Sequence, residues 1–203
     1  MDGEPKKEMY DLLPKHIYPA TFTVLPGQDF QTIKGALQNS GIQYPFVVKP
    51  EVACQGILFR KIDNETELQQ YHAKLPVEYM VQSLVSYPME VSVFYIRHPQ
   101  DKKGRVTGFL HKIPLQVTGN GKETLEQLIQ QHPKAQKRLG EMFSKHREHL
   151  QKIIPAGEKY MLSYAANHNR GAHFIDLKEH IDDKQVSIFE EISLGIDDFC
   201  HGR

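Results

Sequence analysis

Lys49 closes a short apolar run, YPFVVKP at residues 44–50, in which Pro45 and Pro50 bracket Phe46, Val47 and Val48. Those three side chains favour a packed, pleated strand, so the lysine is delivered stiffly at the strand's end. Pro50 cannot donate to a ladder and holds the residue before it extended, which turns the backbone away while the ammonium points onward. A cation fixed in this way suits a phosphate. The same spacing also serves a lysine that simply snorkels to water, and the run alone does not separate the two. Other groups with chemical potential are the thiols Cys54 and Cys200, eleven histidines, and the turn sequence Gly119-Asn120-Gly121. The cysteines form no CxxC and the histidines no HExxH, so the pattern names no metal. His146 and His149 share one helical face, and His168 and His173 flank a loop; packing or surface roles account for such residues.

The elements that must carry these groups follow from periodicity and caps. In PKKEMYDLL (5–13), Met9, Leu12 and Leu13 fall on one helical face, with Pro5 in the first turn. ATFTV (20–24) reads as a strand, and Asp29 caps a helix through Ile33, Ala36 and Leu37 that stops at Gly41. After the Lys49 strand, Gly56 permits a return into ILFRKI (57–62), giving a hairpin with its tip near Cys54. Asn64, with Glu67 three residues on, predicts a helix over 65–73, and YMVQSLV (79–85) a strand. Strands over 89–96 and 105–115 come next, joined by the turn HPQDKKG. A helix carrying Leu125, Leu128 and Ile129 follows, then a charged, exposed helix over 134–148. Strands begin at Lys159 and Ala172, and Asp182 or Asp183 caps a last helix with Ile188, Ile192 and Ile196. The chain stops at CHGR, where another strand is expected to begin.

This order gives an α+β fold with antiparallel sheets, not a doubly wound one. The domain reading is a leading helix and connector over 1–19, a small lobe over 20–85 and a larger lobe over 86–203. At 203 residues the chain can bury about 70 per cent of its unfolded surface. Lys+Arg and Asp+Glu are both 25, so no basic field points to nucleic acid or to a membrane surface, and any phosphate affinity is local. Neither a signal-type leader nor an apolar run of membrane length is seen, and the two separated cysteines suit a reducing, cytoplasmic setting.

The order of motifs resembles the ATP-grasp superfamily of carboxylate–amine ligases. YPFVVKP is similar to the phosphate-contacting strand of the D-alanine:D-alanine ligase branch, and YMVQSLVSYPMEVSV to the interlobe hinge that takes the adenine. HKIPLQVTGNGKETLEQLI is similar in register to the stretch RxPAxVxGDGxxTIxxLI of the cyanophycin synthetase branch. IDDFCHGR resembles the approach to the metal-binding strand. The resemblance implies two α+β lobes gripping a nucleotide between them. It assigns Lys7 and Lys49 to the phosphates, and Gln55 and Gly56 to a hairpin covering them. Backbone groups of Gln82, Ser83, Leu84 and Val85 read the adenine, and Glu90 holds the ribose hydroxyls unless a neighbouring lysine takes it. Lys112, Arg170 and Arg203 are implied as the cations that steady an acyl phosphate.

The activity so implied is ATP-dependent amide or peptide bond formation from a small carboxylate and an amine, through an acyl phosphate. A nucleotide-binding or regulatory module without turnover is the alternative. ATP and Mg2+ are the implied cofactors. The metal ligands are expected beyond Arg203, so this chain alone is expected to lack activity, and it reads either as a fragment or as a chain with an unusual substrate-binding arrangement. EVACQGI has a single glycine where relatives carry more, and the loop AANHNRGAHF departs from ANLSTGG of the relatives.

Overall fold

The computed structural model describes residues 6–52 and 58–196, together with the backbone of residues 201 and 202. Cys54, Gln55, Gly56, Cys200 and Arg203 lie outside the described residues. The chain divides into two compact units, Met1–His111 with Asp176–Arg203, and Lys112–Ile175. No helix among the described residues is long and apolar enough to cross a membrane.

In the first unit, a four-stranded antiparallel sheet has the order β1-β4-β2-β3: β1 is Thr21–Val24, β2 Phe46–Pro50, β3 Arg60–Ile62 and β4 Tyr79–Ser83. Strand alternation sends Phe46, Val48, Tyr79, Val81 and Val24 to one face, where α2 (Phe30–Ser40) and α3 (Glu65–Lys74) add Ile33, Leu37 and Leu68. Every one of these side chains is buried. Each, moved from water, contributes about 1.5–3 kcal/mol to the lobe. The helices start where their caps dictate. The Asp29 carboxylate accepts from the N–H groups of Gln31 and Thr32, and Gly41 ends α2 at φ 70°. Asn64 accepts the N–H of Glu67 at 3.0 Å to begin α3.

Two expected strand boundaries move, and one expected helix face is not the one that packs. The strand over 57–62 is reduced to β3 because Leu58 takes φ 59°, a left-handed turn that no ladder continues through. β4 stops at Ser83 instead of running to Val85, because its neighbours run out: Gln82 is paired with Thr21 and Ser83 with Phe46, the first residues of β1 and β2. In α1 (Lys6–Asp11) no residue is buried, and Met9 and Leu12 are exposed, so the apolar face read from the sequence is not the one that packs.

The same unit holds β5 (Glu90–Ile96), β6 (Arg105–Ile113) as far as His111, and a short strand at His201–Gly202 that is antiparallel to β5. α6 (Asp183–Leu194) begins in a reciprocal cap between Asp182 and Gln185. The expected isoleucine stripe is not its buried face, since Ile188 is exposed. Ser193 and Phe189, four residues apart, turn inward instead: Phe189 stacks on the fully buried Tyr95, and Arg97 donates to the Ser193 carbonyl at 3.0 Å.

In the second unit, β7 (Gln116–Thr118) pairs antiparallel with β8 (Lys159–Met161). Pro114 interrupts the strand expected over 105–115 and separates β6 from β7. Leu115, Val117, Ile154 and Leu162 form the core with Leu125 and Ile129 of α4 (Leu125–Gln131). The helix expected over 134–148 becomes a 3-10 turn at Gln136–Arg138 followed by α5 (Leu139–His146). α5 is not a solvated face: Met142 and His146 are buried in it.

Candidate functional site

On the sheet face opposite α2 and α3, alternation sets Val47 and Lys49 of β2 beside Met80 and Gln82 of β4, with Thr21 next across. The Lys49 ammonium donates to the Tyr10 hydroxyl and to Gln82 Oε1, both at 3.0 Å, and lies 5.2 Å from the centre of the Tyr10 ring. Gln82 is 7% exposed, and its Nε2 donates to Tyr10 at 3.1 Å and to the Thr21 hydroxyl at 2.7 Å. Among the described residues, no carboxylate pairs with Lys49. Its charge is held in position by neutral dipoles and is not cancelled, so it remains available to an anion.

α1 brings Tyr10 to this face. Lys6 Nζ donates to the carbonyls of Pro50 and Glu51 at 3.1 and 2.8 Å, just past the end of β2. The backbone N–H of Lys7 donates to Glu51 Oε1 at 2.5 Å. Glu51 is 6% exposed, and its Oε2 has no hydrogen-bond partner among the described residues. Tyr10 stacks on Tyr18 with ring centres 4.8 Å apart, which fixes the hydroxyl. Lys6 and Tyr10 are one helical turn apart and share a face. That i, i+4 pair was the available signal. Lys6, Tyr10, Thr21 and Glu51 are the members that sequence reasoning missed. The Lys7 side chain, in contrast, is exposed, and among the described residues it is the backbone N–H that engages.

The backbone of Gln82 lies in the interior of the sheet, between β1 and β2, and the N–H of Ser83 donates to the Ala20 carbonyl at 2.9 Å. Leu84 and Val85 follow the strand outside any ladder, and among the described residues their backbone groups make no hydrogen bond. Glu90 is exposed at the start of β5 in the first unit. Lys112 and Arg170 belong to the second unit. There the Arg170 guanidinium donates to Glu141 Oε1 at 3.0 Å, and the other oxygen of that carboxylate takes Arg138 at 3.2 Å. Gly119-Asn120-Gly121 is a turn built into this unit: Asn120 Oδ1 accepts from the N–H groups of Lys122 and Glu123, and Gly121 takes φ 75°. His146 and His149 meet at the Tyr160 hydroxyl, at 3.3 and 2.9 Å, and His146 also bonds the Leu162 carbonyl. Burial holds the His146 imidazole below its ordinary pKa, so at neutral pH it is an uncharged packing group.

No family model matches the chain, and neither does any curated protein. Solved structures do match. VanG D-Ala:D-Ser ligase from Enterococcus faecalis is matched at 13% identity and TM-score 0.47 over 88% of this chain and 38% of that enzyme. Carboxyaminoimidazole ribonucleotide synthase from Aspergillus clavatus, complexed with ATP, is matched at 12% identity and TM-score 0.44, over 85% and 43%. A bifunctional glutathione synthetase from Pasteurella multocida is matched at 14% identity and TM-score 0.35, over 94% and 27%. The chain therefore spans less than half the length of each of these three enzymes.

Proposed function

We propose that this chain is the nucleotide-binding body of an ATP-dependent carboxylate–amine ligase of the ATP-grasp kind. The observation that carries the proposal is Lys49: a strand-end ammonium held by a hydroxyl and a side-chain amide, with no acid against it among the described residues. A polyphosphate oxygen is the natural third partner of such a group. The unpaired backbone groups of Leu84 and Val85 suit an adenine edge, and Glu90 suits the ribose hydroxyls. Lys7, Gln55 and Gly56 complete the assignment to the nucleotide, and Lys112, Arg170 and Arg203 the assignment to the transferred group. In the reaction, a carboxylate oxygen attacks the γ-phosphorus of ATP and ADP leaves. An amine then displaces phosphate from the acyl phosphate, giving the amide. The chain's contribution is electrostatic: cations offset the charge that develops on the transferred group.

Among the described residues no group of three or more His, Cys, Asp and Glu side chains could hold a metal ion by itself, and magnesium enters the proposal as an ion held by fewer carboxylates together with the nucleotide phosphates. No step is assigned to it. The second reading, a nucleotide-binding module without turnover, is favoured by one observation: Arg170 is already neutralised by Glu141. Calorimetric titration of the chain with ATP and with ADP tests both readings; no heat of binding at millimolar nucleotide, with magnesium supplied, refutes both. ADP release that requires a carboxylate and an amine together supports the ligase over the module.

A further inference from the structure

The second unit contains a cavity of about 570 Å³, within the range of small-ligand and peptide sites. β7 forms one wall, and the end of α4 with the residues after it forms another, contributing Leu128, Gln131, His132 and Lys134. Two properties of the lining, one of backbone and one of charge, point to the same occupant.

β7 is a strand with one edge taken. Leu162 and Ser163 donate to the Leu115 carbonyl, Gly119 N–H donates to Glu158, and the Gly119 carbonyl accepts from Gly157. The residues that face β8 are thus the odd-numbered ones. Antiparallel alternation then turns the N–H and C=O groups of Gln116 and Thr118 to the opposite edge. Among the described residues, none of these four groups has a hydrogen-bond partner. Both residues line the cavity. Two residues spaced i, i+2 with donor and acceptor outward are what one extended chain needs to add itself to a sheet, at about 3.3 Å per residue.

The lining also has no acid: its thirteen residues include one lysine, two histidines and no Asp or Glu. Lys134 gives one hydrogen bond to the Ala172 carbonyl at 2.6 Å, and no carboxylate meets it among the described residues. His132 Nδ1 accepts the N–H groups of Lys134 and Ala135, at 3.2 and 3.3 Å, which places the ring proton on Nε2. Burial, and then the nearby Lys134 charge, hold this imidazole below its usual pKa, so at neutral pH the ring is uncharged and Nε2 carries its one proton as a donor. The cavity offers donors and positive charge to whatever pairs with β7.

We propose that the cavity of the second unit binds an extended acidic peptide, which adds as a strand to the outer edge of β7 at Gln116 and Thr118 and presents a carboxylate to Lys134. The site does not depend on the nucleotide reading and holds whether or not the chain binds ATP.

The test uses the whole chain and the probe N-acetyl-Thr-Val-Thr-Glu amide, together with two altered forms: one with Gln in place of Glu, and one N-methylated at alternate residues. Saturating acidic peptide should slow amide hydrogen exchange at Gln116 and Thr118 by about tenfold or more, which corresponds to about 1.4 kcal/mol of protection. Both altered peptides should bind about tenfold more weakly. Thr118→Pro removes an outward N–H that the fold does not use, so it should abolish binding with an unchanged melting temperature. Unchanged exchange at both amides with millimolar peptide overturns the proposal, as does equal binding of the N-methylated form. Equal binding of the Gln form overturns the role of Lys134. The N-methylated arm leaves the protein untouched, so it decides the matter even if Thr118→Pro does not fold.

Discussion

Replacing Lys49 by methionine keeps the aliphatic stem and removes the charge, and the size of the effect can be worked from its surroundings. A phosphate oxygen about 4 Å from the ammonium gains about 4 kcal/mol at an effective dielectric of 20. Lys49 is only partly buried, so water and salt reduce that value. Two small losses accompany the charge: Gln82 Oε1 and the Tyr10 hydroxyl each lose a donor, although Gln82 Nε2 still bonds Tyr10. A net loss of about 1.4–3 kcal/mol in nucleotide affinity remains, or roughly ten- to a hundredfold in Kd. Lys49→Ala should fall in the same range, since the side chain leaves a strand end and fills no core. Calorimetry with ADP at low and moderate salt reads the effect, with thermal unfolding as the control for the fold. An unchanged Kd for both variants, in a protein that binds ADP and unfolds normally, removes Lys49 from the site and with it the physical basis of the assignment.

Tyr10→Phe should act differently, because the hydroxyl only steadies the Lys49 ammonium, whose charge is kept, while the ring's stacking on Tyr18 persists. Nucleotide affinity should stay within about threefold of wild type, and stability should fall by about 1 kcal/mol for the lost hydrogen bonds; a drop as large as that of Lys49→Met would make the hydroxyl a ligand in its own right. Gly119→Ala should destabilise by about 1–3 kcal/mol in urea unfolding, since the new methyl would overlap the carbonyl oxygens of Pro155 and Ile154. Gly140→Ala in α5, with nothing within 4 Å, should stabilise by up to about 1 kcal/mol, and a loss there would mean that the helix is not formed as described. His146 has a folded pKa lower than its unfolded value near 6.5, so the unfolded chain binds the proton first: stability is full above that pH and falls as pH drops through it toward the folded pKa. Melting temperature from pH 8 to 5 should show that decline, and His146→Gln should flatten it, with the slope that persists traced to His132, which is depressed in the same direction.

Local chemistry was legible in the sequence wherever a side chain bonds its own neighbourhood. Asp29, Asn64 and Asp182 cap the helices they were read to cap, because each carboxylate or amide meets an N–H two or three residues on. Boundaries set by other strands were not legible. β4 ends at Ser83 because the partners of β4 end, and nothing in YMVQSLV announces it. The buried face of α5 is chosen by the core of its unit, which takes Met142 and His146 out of a segment that reads as charged. At the site, Lys49 was visible because its strand and two prolines are contiguous. Tyr10 and Lys6 were not, because they reach β2 across 39 and 44 residues of sequence, and a helix of six residues gives too little pattern to choose its face.

What links the two candidate sites is how a chain without net charge can attract an anion at all. With 25 basic and 25 acidic side chains, no long-range field gathers ligand, and each site must rely on charge within a Debye length of about 8 Å. A lysine locked to a carboxylate would have to break that pair before binding, as Arg170 would with Glu141. Lys49 and Lys134 avoid that cost, because each is steadied by neutral acceptors: a phenol and an amide for one, a backbone carbonyl for the other. Orientation is thereby fixed while the charge stays available. The same principle ranks the implied cations: Lys49 is ready to take an anion as it stands, and Arg170 becomes ready only if Glu141 is moved or protonated.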